Sequence, residues 1–279
     1  HVFTQGQYRF SRNWRAGFDI NRASDDTYLR RYGFGDFQTL NSRAYGEYVR
    51  GRDYGEVHAL AFQGLEVSDD SGLEPLILPE VTLHMESEPL RFGGRFGFHG
   101  NVLALTRDEG AATRRLSTAL DYRLPYITDG GHVWKAEMGL RADVYSQSDL
   151  PQPRGEAFSG TDERVVPHAA LSWRYPLMTQ LGSTRMTVEP QVKLVAHSEG
   201  HNPETIANED SQNPEFNEVN LFANNRFAGL DRIEEGTRAV VGVRARMQGR
   251  EGRTLSGFLG QDVQLIGDNP FPVGRDPRT

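Results

Sequence analysis

"WKAEMGLRADV", residues 134–144, places an apolar side chain at every second position. Trp134, Ala136, Met138, Leu140, Ala142 and Val144 alternate with Lys135, Glu137, Gly139, Arg141 and Asp143. Successive side chains of a β-strand point to opposite faces, so the stretch predicts a strand with one apolar and one charged face. The pattern recurs with Trp14, Ala16, Phe18 and Ile20 set against Arg15, Gly17, Asp19 and Asn21. It recurs with Met186, Val188, Val192, Leu194 and Ala196 against Glu189, Gln191 and Lys193, and with Ala239, Val241, Val243, Ala245 and Met247 against Arg238, Arg244, Arg246 and Gln248. Helical spacing is sustained nowhere, and the chain reads as all-β.

Extending the period in both directions predicts about twelve strands, at 2–11, 13–23, 42–51, 54–64, 77–87, 91–107, 113–124, 130–146, 163–175, 184–198, 237–249 and 252–265. The links at 11–13, 51–54, 87–91, 124–130, 175–184 and 249–252 are short, whereas those at 23–42, 64–77, 146–163 and 198–237 are long, with 107–113 modest. Short and long links alternate. In an antiparallel up-and-down meander, alternate connections lie at opposite ends, so one rim carries tight turns and the other large loops.

Composition narrows the class. A net charge of −7 gives no basic footprint for nucleic acid at the level of the whole chain, and no nucleic-acid partner is expected. The 30 Gly and 14 Pro suit a turn-rich β protein, and the absence of Cys excludes disulfides and thiol chemistry within the stretch. No apolar run reaches the roughly 20 residues of a membrane helix. His1 opens directly into a strand pattern, so a mature protein or an internal piece of one is expected.

Alternation alone also fits a soluble barrel or sandwich with its apolar face inward. The tryptophans separate the two. Trp14, Trp134 and Trp173 all lie on the apolar face of their strands within a few residues of a short link, with Phe10, Tyr122 and Tyr175 near the same rim. A soluble core has no reason to gather indoles at one height, whereas a membrane interface does. Several segments also reach the roughly 9–11 residues that a tilted membrane strand needs. The expected fold is an antiparallel up-and-down transmembrane β-barrel, apolar face to lipid and charges inward.

Four stretches carry a family resemblance: "NWRAGFDINRASDDTYLRRYGFG" (13–35), "TVEPQVKLVAH" (187–197), "NEDSQNPEFNEVNLFANNRFAGLDRIEEGTRAVVGVRARM" (208–247) and "LGQDVQLI" (259–266). The third is the most specific, with its Asn-Glu-Asp-Ser opening and its Asn-Leu-Phe and Arg-Phe-x-Gly-x-Asp-Arg run before a strand. Together they make the chain resemble the barrel region of the lipopolysaccharide-assembly LptD (OstA, Imp) family. The resemblance implies an integral protein of the Gram-negative outer membrane that inserts lipopolysaccharide into the outer leaflet. It implies an LptE-like plug lipoprotein, an LptA-like periplasmic bridge reached through an N-terminal jelly roll, contact with outer-membrane lipid, and no cofactor. The family's barrel has more than twice the strands predicted here. Residues 1–279 are therefore expected to be a middle part of one barrel domain, without the jelly roll or the gate strands. A segment with two open edges is not expected to be stable alone in a membrane.

Three sets of residues follow as candidates. Lys135, Glu137, Arg141, Asp143, Glu189, Lys193, Arg238, Arg244 and Arg246 face the charged side and are expected to line a polar lumen for a phosphorylated saccharide and the plug. The plainer reading is that they keep a large barrel wet and pair with one another. The loop at 198–237 is expected to fold as a lid or into the lumen, through Asn208, Glu209, Asp210, Phe216, Leu221, Phe222, Phe227, Asp231 and Arg232. Its alternative is a disordered link. A calcium site from Glu209, Asp210, Asn213 and Glu215 lacks EF-hand spacing and no metal is assigned. Trp14, Trp134 and Trp173 form the expected girdle. Pro190 interrupts a strand and marks a bulge or a loosened pairing.

No enzyme is expected. The eight histidines are scattered, and His197 and His201 have no helical face to share. The chain has neither a G-x-S-x-G nucleophile motif nor a glycine-rich phosphate loop. The remaining alternatives are a general outer-membrane porin or receptor channel and a soluble β-sheet binding module.

Overall fold

A computed structural model describes residues 1–66, 68–211, 218–249 and 252–267. Its strands are β1 (Val2–Arg9), β2 (Trp14–Arg22), β3 (Thr39–Arg50), β4 (Asp53–Gly64), β5 (Leu76–Glu86), β6 (Arg95–Thr106), β7 (Ala112–Ile127), β8 (Val133–Leu150), β9 (Phe158–Arg174), β10 (Leu177–Leu181), β11 (Thr184–His197), β12 (Gly236–Gln248) and β13 (Thr254–Ile266). One helical turn, α1 (Tyr28–Arg31), sits in the first large loop. No helix among the described residues is long and apolar enough to cross a membrane, which says nothing of crossing by strands.

The strands form one antiparallel sheet in chain order, from β1 to β9 and on through β11, β12 and β13, with β10 beside β11. Among the described residues β1 and β13 are its two edges, and the sheet is not closed. Tight turns and larger loops fall at opposite ends, as the alternating link lengths predict, although the long link expected at 146–163 shrinks to 151–157 because β8 runs on to Leu150 and β9 starts at Phe158.

Two differences from the expected strands have local causes. Thirteen strands replace about twelve because β10 lies inside the link predicted at 175–184, where Pro176 separates it from β9 and Gly182, at φ 61°, closes its hairpin with β11. Pro190 falls where β11 changes neighbour: Val188 pairs with Leu177 of β10, and Gln191 pairs with Arg174 of β9. Its carbonyl accepts from the Tyr175 N–H (3.0 Å) across that break. A residue without an N–H suits the point where one ladder has ended and the next has yet to start.

Burial is inverted relative to a water-soluble protein. On β8, Met138 and Leu140 are 57% and 50% exposed, while Glu137 and Asp143 on the opposite face are buried. The same holds across the sheet, where Leu120, Leu171, Leu194 and Val241 are exposed and Arg115, Arg164, Lys193 and Arg238 are buried. Ionised side chains are almost never fully buried unless paired, and a contiguous exposed apolar face of this breadth marks a partner or a membrane.

A small apolar cluster ties down the rim of large loops. Leu29 of α1 packs with Leu40 and Leu65, and all three are buried. Leu29→Ala is expected to cost about 2–5 kcal/mol locally. The loss should appear as faster proteolysis of 23–38, with the cleavage of other loops unchanged.

Candidate functional site

The charged face of the sheet curls around the 198–235 connection, and the described part of that connection is folded. Its two arms, around 201–211 and 225–235, are zipped together. The Asp231 carboxylate accepts from the backbone N–H groups of Glu209 (2.8 Å) and Asp210 (3.0 Å). In return Asp210 accepts from the N–H groups of Leu230 (2.9 Å) and Asp231 (3.0 Å). Ser211 Oγ accepts from those of Asp231 and Arg232, and Asn202 clasps Ile233 through both side-chain amide atoms. A Cβ at Gly229, whose φ is 78°, would lie 2.4–2.7 Å from Asp210 atoms, so a side chain there would force the arms apart.

Basic side chains of the sheet grip this folded unit. Arg115 on β7 reaches both Asp231 (2.6 Å) and Asp210 (2.7 Å), while its other nitrogens bond Asn101 of β6. Tyr145 on β8 donates to Asp231 at 3.1 Å. Arg164 on β9 donates to the carbonyls of Leu230, Asp231 and His201, and also pairs with Asp143 (2.6 Å). Farther round, Lys193 donates to the Phe222 carbonyl (2.6 Å), and Arg238 donates to those of Leu221 and Ala223. Arg107, just after β6, holds Glu209 with a two-pronged contact at 3.0 and 2.6 Å. At the far side Arg226 pairs with Glu234 and with Asp262 of β13 (2.7 Å). The loop thus spans the concave face from β6 to β13.

Electrostatics within the loop follow from this burial. Desolvation pushes the Asp210 carboxyl up, but Arg115 and the Leu230 N–H outweigh it and leave the group below the ordinary carboxylate range. Asp231 is fully buried, and there desolvation outweighs Arg115 and raises the group. Glu209 holds the Arg107 guanidinium above its usual value through their hydrogen bonds.

Of the predicted charged set, Glu137, Arg141, Asp143, Lys193 and Arg238 are brought together beneath the loop, with Arg141 on Asp143 (2.9 Å) and Lys193 near Glu137 (3.9 Å). Lys135 is exposed and pairs with Glu137 (2.9 Å). Glu189, Arg244 and Arg246 lie nearer the tight-turn rim, where Glu189 has Arg174 at 3.8 Å and Arg244 has Glu218 of the loop at 4.0 Å. A cavity of about 320 Å³ lies beside the loop, lined by Asp121, Arg123, Lys135, Glu137, His168 and His197.

Of the loop set, Leu221 is buried, Phe222 meets Phe258 edge-on at 6.1 Å, and Phe227 is half-buried. Asn208 closes on Ser211, and Arg232 lies against the Asn202 carbonyl. Phe216 lies outside the described residues, as do Asn213 and Glu215 of the calcium set, while Glu209 and Asp210 are taken up by Arg107 and Arg115. Trp134 and Trp173 are cross-strand partners with rings 6.4 Å apart, and Trp14 packs on Tyr48 at 4.9 Å.

Arg107, Arg115, Tyr145, Arg164, Arg226, Glu234 and Asp262 are absent from the predicted sites. The alternation held the signal for Arg115, for Arg164 and for Tyr145, which continues the Arg141 and Asp143 face of β8. Arg115 shares a face with Ser117 and Asp121, and Arg164 is the register partner of Asp143, so parity alone would place both inward.

The family model described as "LptD: LPS transport system D" matches residues 1–279. The LPS-assembly protein LptD of Thiobacillus denitrificans is 24% identical over 297 residues, covering 100% of this chain and 39% of that protein. Those of Pseudoalteromonas translucida and Shewanella sp. (strain MR-4) are 23% and 22% identical, each over 94% of this chain and 35% of the relative. The chain therefore spans well under half the length of these relatives.

Proposed function

This chain belongs to the LptD family, and from that premise we propose that it forms part of the wall of a transmembrane β-barrel that delivers lipopolysaccharide to the outer leaflet of the Gram-negative outer membrane. In this reading the exposed apolar face meets lipid, with Trp14, Trp134 and Trp173 at the headgroup level of the tight-turn rim. The paired charges line a lumen, and the 198–235 loop is a lid folded into it. The two open edges continue into further strands of the same barrel, since unpaired edge groups are not tolerated in hydrocarbon. An LptE-like lipoprotein plugs the lumen, and an LptA-like bridge feeds lipid from the periplasm. The work is transport by geometry and a graded environment, with no catalysis.

The inverted burial carries this reading. A wall with buried arginines and exposed leucines has its low-energy surroundings in a bilayer with a wet interior, and a water-soluble binding module has no use for it. Depletion of the full-length protein from cells is the test. Newly made lipopolysaccharide should accumulate inside the outer membrane, and an LptE-like lipoprotein should co-purify in equal amount from solubilised membranes. Normal surface lipopolysaccharide after depletion would overturn the reading, and ion conductance without any lipoprotein would favour an ordinary channel.

A further inference from the structure

The net charge of −7 conceals an axial separation of charge. At the rim of large loops the connections at 23–38 and 65–75 carry Asp25, Asp26, Asp36, Glu66, Asp69, Asp70 and Glu74 against Arg30 and Arg31. At the tight-turn rim the charged face of the sheet is basic, and its cations outnumber their partners. Arg52 in the β3–β4 turn, Arg95 at the start of β6 and Arg123 near the end of β7 converge on one carboxylate, Glu86, with Arg95 at 2.9 Å and Arg123 at 3.9 Å. Farther round, Arg185 at the start of β11 and Arg244 and Arg246 near the end of β12 are all exposed.

The register puts these last three on one face. Arg244 is opposite Glu189, Arg246 opposite Thr187 and Arg185 opposite Gln248. Arg244 has Glu218 at 4.0 Å, whereas Arg185 and Arg246 have no ion-pair partner among the described residues. Deeper in the same wall the buried cations are matched, as Arg115 is by Asp231, Arg164 by Asp143 and Arg238 by Glu234. Among the described residues, the exposed Arg185 and Arg246 at the tight-turn mouth have no such match.

We infer that this basic mouth is a docking surface for the phosphate groups of an anionic glycolipid headgroup. A guanidinium fork matches phosphate oxygens two at a time. Neighbouring strands are about 4.8 Å apart and same-face residues along a strand about 7 Å, so two or three forks can reach one phosphate. A carboxylate offers two acceptor oxygens, which one fork already satisfies, whereas a phosphate offers three and can be shared by several forks, which favours phosphate. The inference rests on the lipid-transport reading and adds to it the chemical group that is recognised and the end at which recognition occurs.

The test uses the full-length protein with its native partners in non-ionic detergent, and measures binding of a bisphosphorylated lipid A and of the same lipid after dephosphorylation. The phosphorylated lipid should bind at least about tenfold more tightly, because each charge-assisted contact is worth roughly that factor. Arg185→Glu with Arg246→Glu should abolish the difference and leave the dephosphorylated lipid unaffected. Arg52→Gln with Arg123→Gln, a milder change, should reduce it. If the reversed pair fails to reach the outer membrane, Arg185→Gln with Arg246→Gln takes its place. Equal binding of both lipids by the unaltered protein overturns the inference and leaves the transport reading standing, whereas failure to bind either lipid overturns the transport reading. Displacement of the lipid by an equal concentration of inorganic phosphate would make free phosphate the ligand and overturn the lipid assignment. Loss of a co-purifying protein with the lipid preference intact would assign the patch to an acidic protein and overturn it as well.

Discussion

Arg115→Ala is expected to free the 198–235 loop from the wall and to destabilise its docked state by about 3–5 kcal/mol, the cost of stripping a buried ion pair of one partner. Arg115 is 2% exposed and is the cation shared by Asp210 and Asp231. Without it two carboxylates face each other across the zipped arms, and Asn101 loses its donor. Arg115→Lys keeps the charge and loses the planar fork, so an intermediate loss is expected. Arg115→Met combined with Asp231→Leu should remain costly, because it removes the fully buried pair but leaves Asp210 without its cation and the backbone N–H groups of Glu209 and Asp210 without their acceptor. Cleavage of the loop by added protease, in outer membranes carrying the full-length protein, reads the docked fraction directly. Cleavage of Arg115→Ala at the unaltered rate would mean that the loop is held elsewhere, through Arg107 or Arg238.

The strands were legible in the sequence because their signal is local. Alternation at Trp134–Val144 depends on a single face meeting a single environment, and the same parity runs through β2, β11 and β12. The neighbour order was legible too, since consecutive strands joined by tight turns can hardly pair otherwise. What the period of two could not supply was any contact between the sheet and the loop. Asp210 and Asp231 lie 21 residues apart, and their shared partner Arg115 lies 95 residues before the first of them. Such a clamp has no spacing rule, and the polar composition of the loop fits a disordered link equally well. The apolar anchors Leu221 and Phe222 were readable as residues that a solvated loop does not need. Arg226 and Glu234 were not, because a charged pair in an Asn-rich loop looks the same whether it is solvated or buried. The extra strand β10 was hidden for a different reason: Pro176 and Gly182 bound it so closely that its five residues read as part of a turn.

Leu140→Arg is the substitution that separates a lipid-facing wall from a water-exposed one. Leu140 lies near the middle of β8 with its side chain on the apolar face, beside its register partners Leu120 and Pro167, and is 50% exposed. If that face meets the bilayer core, a guanidinium there should cost about 2–4 kcal/mol, while Tyr126→Arg, near the tight-turn end of β7, should cost about 0–1 kcal/mol. If the face were in water, both changes would fall within about 0.5 kcal/mol, because an exposed leucine loses little when replaced by another exposed side chain. The depth dependence is therefore the informative quantity, and urea-dependent folding of the full-length protein into lipid vesicles measures it. The reverse change on the other face sharpens the contrast. Glu137→Leu removes a carboxylate from the charged side, where Lys135 lies at 2.9 Å and Lys193 at 3.9 Å, and leaves the buried Lys193 with the Phe222 carbonyl alone. A leucine that destabilises where a glutamate is native, together with an arginine that destabilises where a leucine is exposed, is the behaviour of a wall turned inside out. Equal tolerance of Arg at Leu140 and Tyr126 would place the apolar face in water and remove the membrane from the account of this fold.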